Sequence, residues 1–483
     1  MHAPMLALVG LFVVLVGEGV WAWPVSNNIT WVAGEQGDLY NTYVLGVRPC
    51  GCAAVPGAAW PPPHVLRAFE RNNTHTWPGQ LMAADAFVSA SDVIAMCSNH
   101  KKEHRVVVDP TIWAPAPAAG TVVNGRVIGG CGNYTCSDTT CDIQNDGAMR
   151  EWLTGTDEAK AEIMRRTGWT HEQFMTNVDS VVIILAGGLG CDVAAGSIGI
   201  TLGVEHLTPP RTYYPYSYPP SLHYGRVIIG PFFGLGSTSW PTVPSLAQKR
   251  TFVNAVVHEL GHNMGMQHSG NLSSPGEYDD ISSMMAYAHA SVSCPGPYQV
   301  FQAGWTSGVR WWNPLDNATS SCITRYMPIS QRDDMADVID RRAWMANMTS
   351  DNGGGIAPFL FMAAKASCPT GEWEKRFGMG GCTATSTRVV SVLVQEVKRR
   401  TWPTDGNFTY FFSPRWMGSE PYSANDYIDT APMFGNRPMH RAEARFKGPV
   451  VRVAADLTLQ VLNFTGTRTA PEQAQVQLCR HWA

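Results

Sequence analysis

Eleven consecutive residues restrict this chain more than any other stretch: His258-Glu259-Leu260-Gly261-His262-Asn263-Met264-Gly265-Met266-Gln267-His268. They close the clearest amphipathic segment in the sequence, 244–264, where Phe252, Val253, Val256, Val257, Leu260 and Met264 recur with a period near 3.6 residues. The spacing predicts a helix over 244–264 that stops at Gly265, a residue that accepts positive φ at a helix end. Residues four apart on a helix share a face, so His258 and His262 project together.

Two imidazoles one turn apart can ligate one metal ion. Glu259, beside the first of them, reaches a metal-held water without ligating the metal itself. Gly265 lets the chain turn sharply, and His268 returns three residues later as a third nitrogen ligand. Three His ligands leave one position of a tetrahedral zinc open for water, as in catalytic rather than structural sites. The candidate metal ligands are therefore His258, His262 and His268, the candidate general base is Glu259, and the expected cofactor is one catalytic zinc ion. The competing reading is three histidines that bind nothing. With 14 His in 483 residues, an HExxH arises by chance in about one chain in a hundred, and the added Gly and third His lower this below about one in ten thousand.

A second element follows at Ser282-Ser283-Met284-Met285-Ala286-Tyr287. Metzincins place a Met-containing turn beneath the zinc, and Met285 rather than Met284 suits it because only Met285 has Tyr two residues on. The plainer reading of either Met is core filling.

Together, the 258–268 segment, Met285-Ala286-Tyr287, Cys294 and Gly304-Trp305 resemble the gametolysin family of metzincin zinc metallopeptidases, secreted green-algal enzymes that digest cell-wall glycoproteins. The resemblance is strongest over 225–305 and looser at 44–52 and 476–480. It implies an α+β fold: a metzincin-type catalytic domain, with a twisted mixed sheet and an active-site helix, followed by a β-rich, sandwich-like C-terminal domain. It also implies a zinc metalloendopeptidase acting on extracellular-matrix or cell-wall glycoproteins, with Tyr287 close to the metal and able to hydrogen-bond the oxyanion.

The rest of the sequence fits an extracellular setting. Residues 5–16 are an apolar run followed by small residues to Ala22, which reads as a signal peptide over 1–22, too short for a membrane span. The chain has 12 Cys, an even number expected to pair in an oxidising compartment. Sequons at Asn28, Asn72, Asn133, Asn271, Asn317, Asn347, Asn407 and Asn463 point to a glycoprotein. With 35 basic against 39 acidic residues there is no basic field for nucleic acid or an anionic membrane, and a protein substrate is the expected partner. The texture turns β-prone after about residue 310, which divides the chain into a leader at 1–22, a catalytic domain at 35–310 and a β-rich domain at 311–483. About 15 to 20 residues between leader and first strand leave no room for a full pro-domain.

Further β-prone runs are read at 40–47, 105–108 (ending at Pro110), 181–186, 198–202, 226–229, 388–397, 408–412, 450–453, 457–462 and 474–478, with helical spacing over 148–167. The Pro/Tyr segment 208–218 reads as a surface loop, or as an aromatic rim beside a cleft. Two other functions stay open. Arg48-Pro49-Cys50-Gly51 and Ser269 allow a matrixin-like enzyme with Cys50 as a zinc-bound switch, although Cys50 fits better as a disulfide partner. A non-catalytic zinc-binding matrix glycoprotein is the alternative from another class, but it has no use for Glu259. Asp279 and Asp280 are a calcium candidate or a solvated turn, and His206, His223 and His289 show no metal spacing.

Overall fold

The continuous apolar run VVIIL forms β5 (Ser180–Leu185), the centre of the N-terminal sheet. In the computed structural model the described residues are 38–48, 50, 60–69, 89–123, 126–128, 152–153, 156–185, 212–213, 216–217, 224–229, 246–264, 266, 283–285, 294–302, 305–306, 308–314, 321–329, 335–341, 359–367, 387–396, 440–454 and 457–481. They make a mixed α+β protein, mostly sheet with few helices and several separate sheets.

Strand β5 pairs in parallel with β1 (Asp38–Val47) on one side and β8 (Gly225–Ile229) on the other. Beyond β1 lies β2 (Lys102–Trp113), also parallel, so the order is β2-β1-β5-β8. A mixed sheet is expected from the resemblance, but every described pairing in this sheet is parallel. Helices lie between β1 and β2 and between β2 and β5, as parallel neighbours require a crossover, and apolar layers cover both faces of the sheet. Tyr40, Val44, Val182, Ile184, Val227 and Ile229 pack toward the layer holding α1 (Pro63–Phe69) and α2 (Ala90–Cys97). Their neighbours Tyr43, Leu45, Val47, Val181, Ile183 and Ile228 pack toward α3 (Glu158–Thr167) and α4 (His171–Asn177).

The long helix α5 (Leu246–Asn263) belongs to the first of these layers. Phe252, Val253, Ala255, Val256, Val257 and Leu260 are all fully buried, more of the helix surface than one apolar stripe.

Two local expectations change. Strand β2 does not end at Pro110 but runs on to Trp113. The ladder steps from Val44↔Val108 to Gly46↔Ile112, so Pro110 lies in a bulge, where its missing N–H costs no ladder bond. The 148–167 helix is broken: Trp152 and Leu153 are helical, Thr156 and Asp157 bend, and α3 begins only at Glu158. The Thr156 hydroxyl donates to the Trp152 carbonyl (2.6 Å), a local bond that competes with helix continuation. The Pro/Tyr segment contains a minimal antiparallel ladder, β6 (Thr212–Tyr213) with β7 (Tyr216–Ser217). An Asn-Gly turn sequence joins a second hairpin, β3 (Thr121–Val123) with β4 (Arg126–Ile128).

The C-terminal strands form two sheets around one apolar core. One sheet has the order β10 (Cys322–Pro328), β17 (Pro471–Arg480), β16 (Leu457–Gly466), β15 (Val451–Ala454). The other has the order β14 (His440–Arg445), β13 (Val389–Glu396), β12 (Phe359–Ser367), β11 (Met335–Asp340), β9 (Gly308–Trp312). Strand β9 already pairs with β11, so the change of sheet falls at residue 308. Arg310 and the Trp312 indole N–H both donate to Asp337, which ties β9 to β11.

The short helix α6 (Pro297–Gln302) carries the chain from the first layer to these sheets, and the Phe301 and Phe361 rings meet at 5.0 Å. Disulfides join Cys97 of α2 to Cys294 just before α6, and Cys322 of β10 to Cys479 of β17. No helix among the described residues is long and apolar enough to cross a membrane.

Candidate metal centre

The centre is built on the last turn and a half of α5. His258 and Glu259 are 2% exposed, so the helix carries ionisable side chains into a largely apolar layer. Burial of that kind costs several kcal/mol unless partners compensate it. For the two imidazoles the partners are backbone carbonyls. His258 Nδ1 lies 2.9 Å from the Met284 carbonyl, and His262 Nδ1 lies 2.8 Å from the Met266 carbonyl. A carbonyl oxygen only accepts, so each Nδ1 carries the proton and each Nε2 is the acceptor nitrogen.

Those two Nε2 atoms converge to 3.2 Å, with the rings edge to face at 84°. Between two neutral imidazoles protonated at Nδ1 this contact is not a hydrogen bond, because neither Nε2 has a proton to give. A cation between them would resolve the conflict. Two nitrogen ligands of a tetrahedral zinc lie about 3.3 Å apart, given Zn–N of about 2.0–2.1 Å. The donor set therefore fits a zinc ion, with the Nδ1–H···O=C bonds in the orienting role common to metal-bound His.

The Met284 carbonyl is itself well braced. The Met284 N–H donates to the Cys294 carbonyl (3.3 Å), and Cys294 is the partner of Cys97 on α2. Met285 N–H donates to Ser283 Oγ (3.2 Å), Ser283 Oγ donates to Gln299 Oε1 (3.0 Å), and Gly296 N–H donates to the same oxygen (2.6 Å). A disulfide and a glutamine thus fix the turn that fixes His258. Met285 is fully buried with its thioether against the helix at Gly261, where an added Cβ would lie 2.5 Å from Met285 Sδ and 3.2 Å from Met284 Cε. The glycine admits this close approach. Beyond His262, buried Asn263 donates from Nδ2 to Ser180 Oγ (2.6 Å) at the start of β5, and its amide fills the space that a side chain at Gly225 would take.

Of the residues expected from sequence, the structure brings His258 and His262 together and sets Met285 against the same turn of helix at Gly261, while Glu259 is buried on that helix. His268, Tyr287 and Gly265 lie outside the described residues, as do Asp279, Asp280, His206, His223 and His289. The 1–22 leader, the 198–202 and 408–412 runs and every sequon except Asn463 also lie outside them. Among the described residues, no group of three or more His, Cys, Asp or Glu side chains is placed to hold a metal. Cys50 is disulfide-bonded, which removes the thiol that a cysteine switch needs. Sequence reasoning misses the Met284 and Met266 carbonyls, since every residue has a carbonyl and no side-chain pattern marks the ones that will accept. It also misses the Asn263–Ser180 anchor, for which the only signal is an amide side chain directly after the second His.

No protein-family model matches the chain, and no curated protein matches it.

Proposed function

We propose that this chain is a zinc-dependent metalloendopeptidase of metzincin type, secreted and directed at extracellular-matrix or cell-wall glycoproteins. The observation that supports it most is the pair of Nε2 atoms at 3.2 Å, each made an acceptor by a carbonyl bond on the opposite side of its ring, beside buried Glu259. His258 and His262 would hold the metal as neutral imidazoles, with His268 as the third ligand. Zinc, when bound, supplies Lewis acidity toward the scissile carbonyl and toward water.

The chain's own residues do the rest. Glu259 accepts the proton of the attacking water and delivers it to the leaving amine. Tyr287 donates a hydrogen bond to the oxyanion. The Met284 carbonyl keeps the His258 ring in one tautomer and one orientation. The Met285 thioether supports the helix from beneath.

Two features fit secretion: the disulfides belong to an oxidising compartment, and no described helix spans a membrane. The test is incubation of the purified chain with a matrix glycoprotein extract, with and without a chelator, followed by sequencing of the product ends. Chelator-sensitive cleavage at internal peptide bonds is the expected result. Zinc retention with no hydrolysis of any protein would instead mean a non-catalytic zinc glycoprotein.

A further inference from the structure

Among the described residues, strand β16 (Leu457–Gly466) has strand partners along both edges only for its first three residues. Strand β15 pairs with it at Leu459, Thr458 and Leu457, while β17 accompanies the other side as far as Gly466. On the β15 side, residues 460–466 therefore have no strand partner among the described residues, and their backbone N–H and C=O groups form an open sheet edge. The same region carries exposed apolar surface: Leu462 is 39% exposed, and Val450, just ahead of β15, is 55% exposed. An open edge beside exposed aliphatic side chains is a template for pairing with a second chain.

The strand is irregular here. Register steps from Val461↔Val476 to Asn463↔Gln475, so Leu462 is an extra residue, and a second shift follows between Phe464 and Gly466. The first bulge breaks the in-and-out alternation and leaves both Leu462 and Asn463 facing solvent, while Phe464 returns to the core against Phe446. Asn463 is thus an exposed amide in the sequence Asn463-Phe464-Thr465, the acceptor pattern for N-linked glycan, at the middle of the open edge.

We propose that Asn463 carries an N-linked glycan whose role is to guard this edge. The modification forms a bond from Asn463 Nδ2 to the anomeric carbon of an oligosaccharide. It breaks that carbon's bond to the phosphate oxygen of a lipid-linked diphosphate donor, which leaves with the electron pair, and the amide proton goes to a base. A bulky hydrated group at this position occupies the space that a docking strand would need. It does the work that lysine, proline or a covering loop does at other sheet edges.

The experiment uses the full chain expressed through a eukaryotic secretory pathway. Peptide mapping reads the occupancy of Asn463, and sedimentation reads self-association before and after enzymatic removal of glycans from the folded protein. N463Q and T465A are compared with it; T465A keeps the asparagine but destroys the acceptor pattern. The proposal expects Asn463 to be modified, and the associated fraction to rise several-fold in both variants and after removal of glycans. Because enzymatic removal acts on protein already folded, a folding defect in a variant does not obscure the result. An unmodified Asn463 would overturn the proposal. So would a modified Asn463 whose loss leaves the chain equally monomeric.

Discussion

Two protons on two Nδ1 atoms decide what the end of α5 can hold, because they commit both Nε2 lone pairs to the same point. The juxtaposition of the two histidines is legible from their spacing alone, since helix geometry turns i and i+4 into one face. Their supports are not, because carbonyl acceptors have no sequence signature. Gly261 is a partial exception: a small residue inside the motif marks where something packs closely, though not that it is Met285. Substituting Gly261→Ala should cost about 1–3 kcal/mol by overpacking, seen as a lower urea midpoint, and should weaken zinc retention as the Met285 turn shifts. Asp109 gives an independent check far from the centre. It is fully buried and accepts from the Tyr43 hydroxyl (2.7 Å), the Thr111 N–H (2.8 Å) and the Thr111 hydroxyl (2.7 Å), and it pairs with Arg166 (2.9 Å). Asp109→Ala leaves Arg166 with Glu162 (2.6 Å) but takes away the acceptor of the buried Tyr43 hydroxyl, and should cost about 1–3 kcal/mol in equilibrium unfolding.

Legibility among the elements follows their chemistry. Strand β5 is a pure run of β-branched and aliphatic residues, and β1, β8, β13, β15, β16 and β17 are similarly plain, so pattern reading finds them. Strand β12 (FLFMAAKAS) ends in three Ala with Lys and Ser, and β14 (HRAEAR) is Ala and charge. Both are poor strand formers by composition, and they are held in the sheet by pairing with β13 on its two sides. Strand β9 escapes notice because its partner β11 is parallel to it and follows only after β10, a strand of the other sheet, so there is no hairpin signal. Disulfide pairing is likewise invisible in sequence, and here it matters for the candidate site: Cys97–Cys294 spans 197 residues and clamps α2 to the segment that positions Met284. Replacing both cysteines by serine should lower stability by about 2–5 kcal/mol and loosen the His258 carbonyl bond. Calorimetry would report the first effect and zinc competition with a chelator the second.

At the scale of the molecule, two buried groups near the N-terminal sheet set opposing pH dependences. His104 is held neutral by burial, with its pKa lowered to about 3, between a Thr42 hydroxyl and a Ser91 hydroxyl that itself donates to the Phe69 carbonyl. The unfolded chain takes up a proton near the ordinary His value of about 6.5, so this group's contribution is complete above that pH and is lost as the pH falls toward 3. Asp179 runs the other way: burial raises its pKa to about 6 despite the Asn41 N–H bond (2.6 Å), so its contribution is present at low pH and is lost as the pH rises through 6. Between about pH 4 and 6 the two slopes oppose each other. A His104→Gln variant should therefore grow more stable on acidification over that window, and an Asp179→Asn variant should lose stability more steeply than the parent, both read from unfolding midpoints against pH. The central claim, that the end of α5 holds a zinc ion for Glu259 to work beside, is tested most directly by the Glu259→Ala variant assayed for zinc content and for peptide cleavage together. One zinc per chain in both proteins, with cleavage by the parent alone, is the expected result; a parent chain without zinc, or a variant that cleaves undiminished, would contradict it.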